Sequence, residues 1–202
     1  PLGMFADDVT LPAGAADVVV TDQFVTPVAV NVHSIYPHAH YLCRSMSAWA
    51  TLPNGERRDL FRIDRWDFDW QDDYTFREPM ALPAGTRFAF EYHYDNSLGN
   101  PSNPSDPPRR VTLGDRSTDE MGNLTLQVMT KDQATRRQLG EAGVRRDLDK
   151  LGYNRALLLV LAAILRVQNR PDEAFKAIAS VREREPENAE AMREMGLSYA
   201  AM

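Results

Sequence analysis

The sequence predicts a mainly β protein with an α tail: a β-sandwich or barrel over residues 1–130, then helices. Two observations carry this. Short β-branched and aromatic segments recur before residue 130, separated by turn signals at Pro12-Ala13-Gly14, Pro53-Asn54-Gly55 and Leu82-Pro83-Ala84-Gly85. Many short strands with such punctuation indicate a sandwich or barrel. From about Lys131 the composition turns to helix formers, with start and stop signals at helical spacing.

The strands follow in order. Asp17 to Phe24 is β-branched, and Pro27 to Val32 alternates and leads into Tyr36-Pro37-His38-Ala39-His40-Tyr41-Leu42. Residues 38–52 continue with β-formers to Asn54-Gly55, the strongest short hairpin signal, and Asp59 to Ile63 is the expected return strand. Tyr74 to Arg77, Arg87 to Tyr94 and Asp119 to Val128 complete the set, with a proline-rich irregular stretch over 95–108. Residues 131–153 read as a charged linker or helix with Gly140 and Gly143 as breaks, and 154–202 as helices. Pro171 sits where a helix starts, and Pro186 ends it.

A formal net charge of −6 argues against a nucleic-acid binder, which usually shows a basic patch. The longest apolar run, Ala156 to Leu165, is far short of the roughly 20 residues of a membrane helix. No basic segment followed by an apolar one leads the chain, which reads as a piece of a longer protein. Cys43 is the single cysteine, so no intrachain disulfide forms.

Four histidines are present, and two of them form His38-Ala39-His40. On a strand, positions i and i+2 share a face, so the two imidazoles would stand side by side as a metal pair. Imidazole suits copper, zinc, iron or nickel, and two ordinary surface histidines would give the same pattern. Cys43, three residues on, reads as a small buried apolar group, with a soft metal ligand as the sharper alternative. His33 and His93 read as surface or hydrogen-bonded side chains, His93 being the better placed to support a ligand from behind. The acid–aromatic run Trp66 to Trp70 reads as a sandwich edge with its aromatics in the core, or as the lining of a pocket for an amine.

Four pieces in this order carry a resemblance: Pro37-His38-Ala39-His40; Trp66-Asp67-Phe68-Asp69-Trp70-Gln71; Tyr94-Asp95-Asn96-Ser97 with Asn100-Pro101-Ser102-Asn103-Pro104; and Gly114-Asp115 with Asp119-Glu120-Met121. Together they resemble the C-terminal catalytic domain of the copper type II, ascorbate-dependent monooxygenases, most closely the bacterial type, over roughly residues 3–128. The resemblance implies a jelly roll that binds one copper through His38, His40 and Met121. It implies dioxygen and a C–H substrate as reactants and ascorbate or another one-electron donor. It also implies a second copper on a domain upstream of this chain, and a periplasmic or extracellular setting. The family commonly has glycine where this chain has Cys43. The alternative expectation is a non-catalytic copper-binding or protein-interaction scaffold.

The tail matches the 34-residue tetratricopeptide pattern, with Ala162 and Ala174 on its small positions and Gly196 and Tyr199 starting a further repeat. A protein partner bound through the helical repeats is one expectation, although its groove needs more repeats than this chain carries; a simple helical hairpin packed on the β part is the alternative.

Overall fold

The structure, a computed structural model, describes residues 1–200. It divides into two compact units, Pro1–Thr130 and the chain from Lys131 onward. The first is all β and the second is four helices.

The β unit holds ten strands: β1 (Leu2–Phe5), β2 (Thr10–Leu11), β3 (Val18–Val25), β4 (Val30–His38), β5 (Cys43–Thr51), β6 (Arg57–Ile63), β7 (Tyr74–Leu82), β8 (Arg87–Tyr94), β9 (Val111–Thr112) and β10 (Asn123–Met129). They form two four-stranded antiparallel sheets, in orders β1-β10-β4-β7 and β3-β8-β5-β6, with β2 and β9 paired apart. Alternation explains the core. Phe88, Phe90, Tyr92 and Tyr94 take every second position of β8 and are fully buried, each Phe contributing about 1.5–3 kcal/mol by burial. The hydroxyls of Tyr92 and Tyr94 cross to the other sheet, donating to the carbonyls of Asn123 (2.9 Å) and Met121 (2.6 Å). The two sheets therefore pack face to face as a sandwich.

The Asn54-Gly55 hairpin joins β5 to β6, with Gly55 at φ 86°, a left-handed conformation that glycine adopts without strain. β7 runs past the expected Arg77 to Leu82 and includes Pro79. It lies at a sheet edge, where a strand tolerates a residue without N–H. The last strand starts at Asn123 rather than Asp119, which leaves Met121 outside the ladder.

The helices are α1 (Gln133–Leu151), α2 (Arg155–Val167), α3 (Pro171–Arg184) and α4 (Ala189–Tyr199). Asp132 and Thr135 cap α1 reciprocally, and the side chains of Asn154 and Asn188 cap α2 and α4. Pro171 opens α3, as read from the sequence. Gly140 and Gly143 do not break α1. A Cβ on Gly140 would touch Ile164 at 3.7 Å, so this glycine lies where α1 approaches α2, and packing offsets its low helix propensity. Residues 131–153 thus hold helix α1 of the second unit, packed through Val144 and Leu148 on a core of Leu161, Ala162, Leu165, Ala174, Ile178, Val181 and Ala191. Among the described residues no helix is long and apolar enough to cross a membrane.

Candidate metal centre

β4 ends at His38, whose register partner is Asn123, the first residue of β10. His40 lies beyond the strand, in the turn toward β5. The two rings still meet, with centroids 5.2 Å apart and edge to face at 82°, although the two residues do not share a strand. The cause is the turn, which leaves the ladder after His38 and is held by side chains.

Each imidazole is oriented through Nδ1. His38 Nδ1 lies 2.5 Å from Oε1 of Gln71, and Gln71 Nε2 donates to the carbonyl of Phe68 at 2.9 Å. That second bond fixes which end of the amide faces His38, so Nδ1 is the protonated nitrogen. His40 Nδ1 lies 3.0 Å from the carbonyl of Asp119, which can only accept. In both rings Nε2 is left with its lone pair, the tautomer that can bind a metal through that nitrogen. Burial lowers the His38 pKa, against the bond to Gln71, and a neutral ring is the ligating form.

The turn itself is secured by Glu120, which is fully buried. Its Oε2 accepts from the backbone N–H of His40 (2.8 Å) and Met121 (3.2 Å), and its Oε1 from Leu42 (2.6 Å). Burial pushes this carboxyl up to about 7, against the pull of those N–H groups. Trp66 Nε1 donates to the carbonyl of His40 at 3.0 Å, and the Phe68 ring stands edge-on to His40 at 5.6 Å.

Met121 is half-buried, on the segment whose neighbours Asp119 and Glu120 bond to His40. Its Sδ lies 3.6 Å from the amide Nδ2 of Asn123, so the thioether sits at the His38 end of the β4–β10 pair. Among the described residues no group of three or more His, Cys, Asp and Glu side chains is placed to share a metal. A metal here would need a ligand of another kind beside the two imidazoles, and a thioether is soft and neutral, suited to Cu(I). Two imidazoles and a thioether are donor types that suit Cu(I).

Cys43 is buried in β5, its Sγ 3.7 Å from the carbonyl of Ser45. Burial pushes its thiol well above the usual range, which disfavours the thiolate. His93 does not support a ligand from behind. It lies on β8 with Nδ1 2.9 Å from Asp17 and Nε2 3.0 Å from Glu91. His33 occupies an irregularity of β4, where the register with β7 shifts between Val32 and Ser34.

The aromatic block is not core. It forms the loop between β6 and β7, with Trp66 and Phe68 half-buried and Trp70 73% exposed. Tyr41, Trp66 and Phe68 line a cleft of about 660 Å³ together with Arg44, Asp67 and Asp69. Sequence reasoning placed Gln71 and Glu120 in motifs without assigning either a task. The one available signal was an acid beside the candidate ligand Met121, and only the fold shows that acid to be buried.

No family model matches the chain, and no curated protein matches it. Among solved structures it is similar to the CBM32-1 module of a family 31 glycoside hydrolase from Clostridium perfringens, at 11% identity and a TM-score of 0.29, over 58% of this chain and 78% of that one. It is also similar to the infectious bursal disease virus VP2 subviral particle, at 10% identity and a TM-score of 0.29, over 63% of this chain and 32% of that one. Likenesses at this distance say nothing about what the chain does.

Proposed function

We propose that residues 1–130 are a jelly roll that forms the copper-binding catalytic half of a copper- and ascorbate-dependent monooxygenase. The observation that carries this reading is the pair of rings 5.2 Å apart, each with Nδ1 committed to an acceptor and Nε2 left to ligate, beside the segment that carries Met121. His38 and His40 would hold the metal through Nε2 and Met121 through Sδ. Copper so bound supplies the one-electron chemistry by which dioxygen hydroxylates a C–H bond. One oxygen atom enters the substrate and the other leaves as water, which takes two electrons and two protons from a donor such as ascorbate. Gln71 and the Asp119 carbonyl keep the imidazoles oriented, Phe68 and Trp66 shield the His40 side, and the adjoining cleft admits substrate. A second copper on another domain and a periplasmic or extracellular setting belong to the same proposal.

The helices are proposed as tetratricopeptide-like repeats that bind a protein partner. Ala162 and Ala174 are both fully buried in the helical core, as the small positions of that repeat require. Apolar residues left exposed at Val160, Val167 and Leu197 favour a second reading, a non-catalytic copper-binding or interaction scaffold. Oxygen-dependent hydroxylation separates the two.

The test is X-ray absorption on the Cu(I)-loaded protein. One copper per chain with a nitrogen shell and one sulfur is expected, and Met121→Ala should remove the sulfur. A sulfur that survives the substitution assigns the ligand elsewhere and overturns the site.

A further inference from the structure

We propose that Glu120 is the positioning residue of this centre: one buried carboxylate fastens the His40 turn to the Met121 segment and so sets the separation of imidazole and thioether. The inference rests on the copper reading above, but the joint it describes exists without metal.

The ladder explains why a joint is needed. His38 and Asn123 form the last register pair of β4 and β10. Beyond it both chains leave the sheet, and both carry a ligand there, His40 on one side and Met121 on the other. No strand hydrogen bond spaces these two residues. The Glu120 carboxylate does so instead, with Oε2 shared between the N–H groups of His40 and Met121 and Oε1 taking that of Leu42.

Glu120 is itself held. Its N–H donates to the carbonyl of Thr112 at 3.1 Å, and its carbonyl accepts from Gly114 at 3.2 Å. A Cβ on Gly114 would overlap the Asp119 carboxylate, so this glycine is needed for the close approach. From the opposite sheet, Tyr94 clamps the carbonyl of Met121 at 2.6 Å. The carboxylate is thus a fixed bracket rather than a mobile surface acid.

A carboxylate suits this task and an amide does not. In the ionised form both oxygens accept, as the three N–H partners require, whereas glutamine offers one oxygen and one NH2. Glu120→Gln can satisfy the Oε2 pair or the Oε1 partner, and its NH2 then faces a backbone N–H. A buried donor left without an acceptor opens that side of the joint.

The experiment compares wild type with Glu120→Gln and Glu120→Asp, which keeps the charge but is one methylene short. The first readout is copper-free: amide hydrogen exchange at His40, Leu42 and Met121. In wild type these three amides should open together, and in either variant their exchange should rise more than that of neighbouring strand amides. The second readout is Cu(I) affinity by chelator competition, with X-ray absorption on the loaded protein. Affinity is expected to fall about 10–100-fold in Glu120→Gln, with the sulfur shell lost and nitrogen retained. An unchanged affinity with the sulfur shell intact in a folded Glu120→Gln overturns the proposal, because a merely structural residue would lower stability alone. If Glu120→Gln does not fold, Glu120→Asp and the wild-type exchange decide: independent exchange of the three amides overturns the joint. If wild type takes up no copper through sulfur, the copper reading fails, and the exchange arm still decides for or against Glu120.

Discussion

Gln71 holds His38 by its Nδ1 at 2.5 Å while its own amide nitrogen is anchored on the carbonyl of Phe68. The two residues come from different elements, the end of β4 and the loop before β7, so the loop that lines the cleft also orients the His38 ring.

Removing that relay frees the ring. Gln71→Leu should weaken Cu(I) binding by about 10–100-fold while the nitrogen and sulfur shells persist, because the ligands remain and only the orientation of one is lost. Chelator competition together with X-ray absorption checks this. An affinity equal to wild type would show that the turn alone aims His38.

The pH dependence of stability should contain a contribution from His93. Hydrogen bonds to Asp17 and Glu91 raise its pKa above 6.5, against partial desolvation. A group whose folded-state pKa is raised stabilises the fold fully below the unfolded value and loses that effect as pH climbs through the raised one. The melting temperature of wild type should therefore exceed that of His93→Gln most at about pH 5, with the gap closing by about pH 9. The ring is partly exposed, so the gap is small. A gap that grows with pH would contradict the assignment.

The helical unit carries its own core, and Ile178 is fully buried in it. Ile178→Ala should destabilise that unit by about 2–5 kcal/mol. All three tryptophans, Trp49, Trp66 and Trp70, lie in the β unit, so their emission reports that unit alone. The substitution should lower the thermal transition of the helical circular-dichroism signal and leave the tryptophan transition in place. Ending the chain after Thr130 should likewise leave the tryptophan transition and copper binding intact. A joint shift of both transitions would mean that the units unfold as one.

The sequence by itself determined the division near residue 130, the β character before it and the helices after it. Each rests on local signals: turn residues at Asn54-Gly55, alternation along Arg87 to Tyr94, Pro171 at a helix start and Pro186 at its end. It also singled out His38 and His40, because residue type and short spacing are visible in one dimension, and the family resemblance implied Met121 beside them. The tertiary structure decided what those residues rest on. Glu120 is distant in sequence from the turn that it holds, and Gln71 reaches His38 across 33 positions. The same holds for the glycines of α1, where contact with another helix overrode a local break signal. Strand alternation likewise predicted two imidazoles side by side on one strand face, whereas the strand ends at His38 and His40 lies in the following turn, with the two rings edge to face. Periodicity describes neighbours along the chain, whereas burial and long-range hydrogen bonds exist only once the sheets have closed on each other.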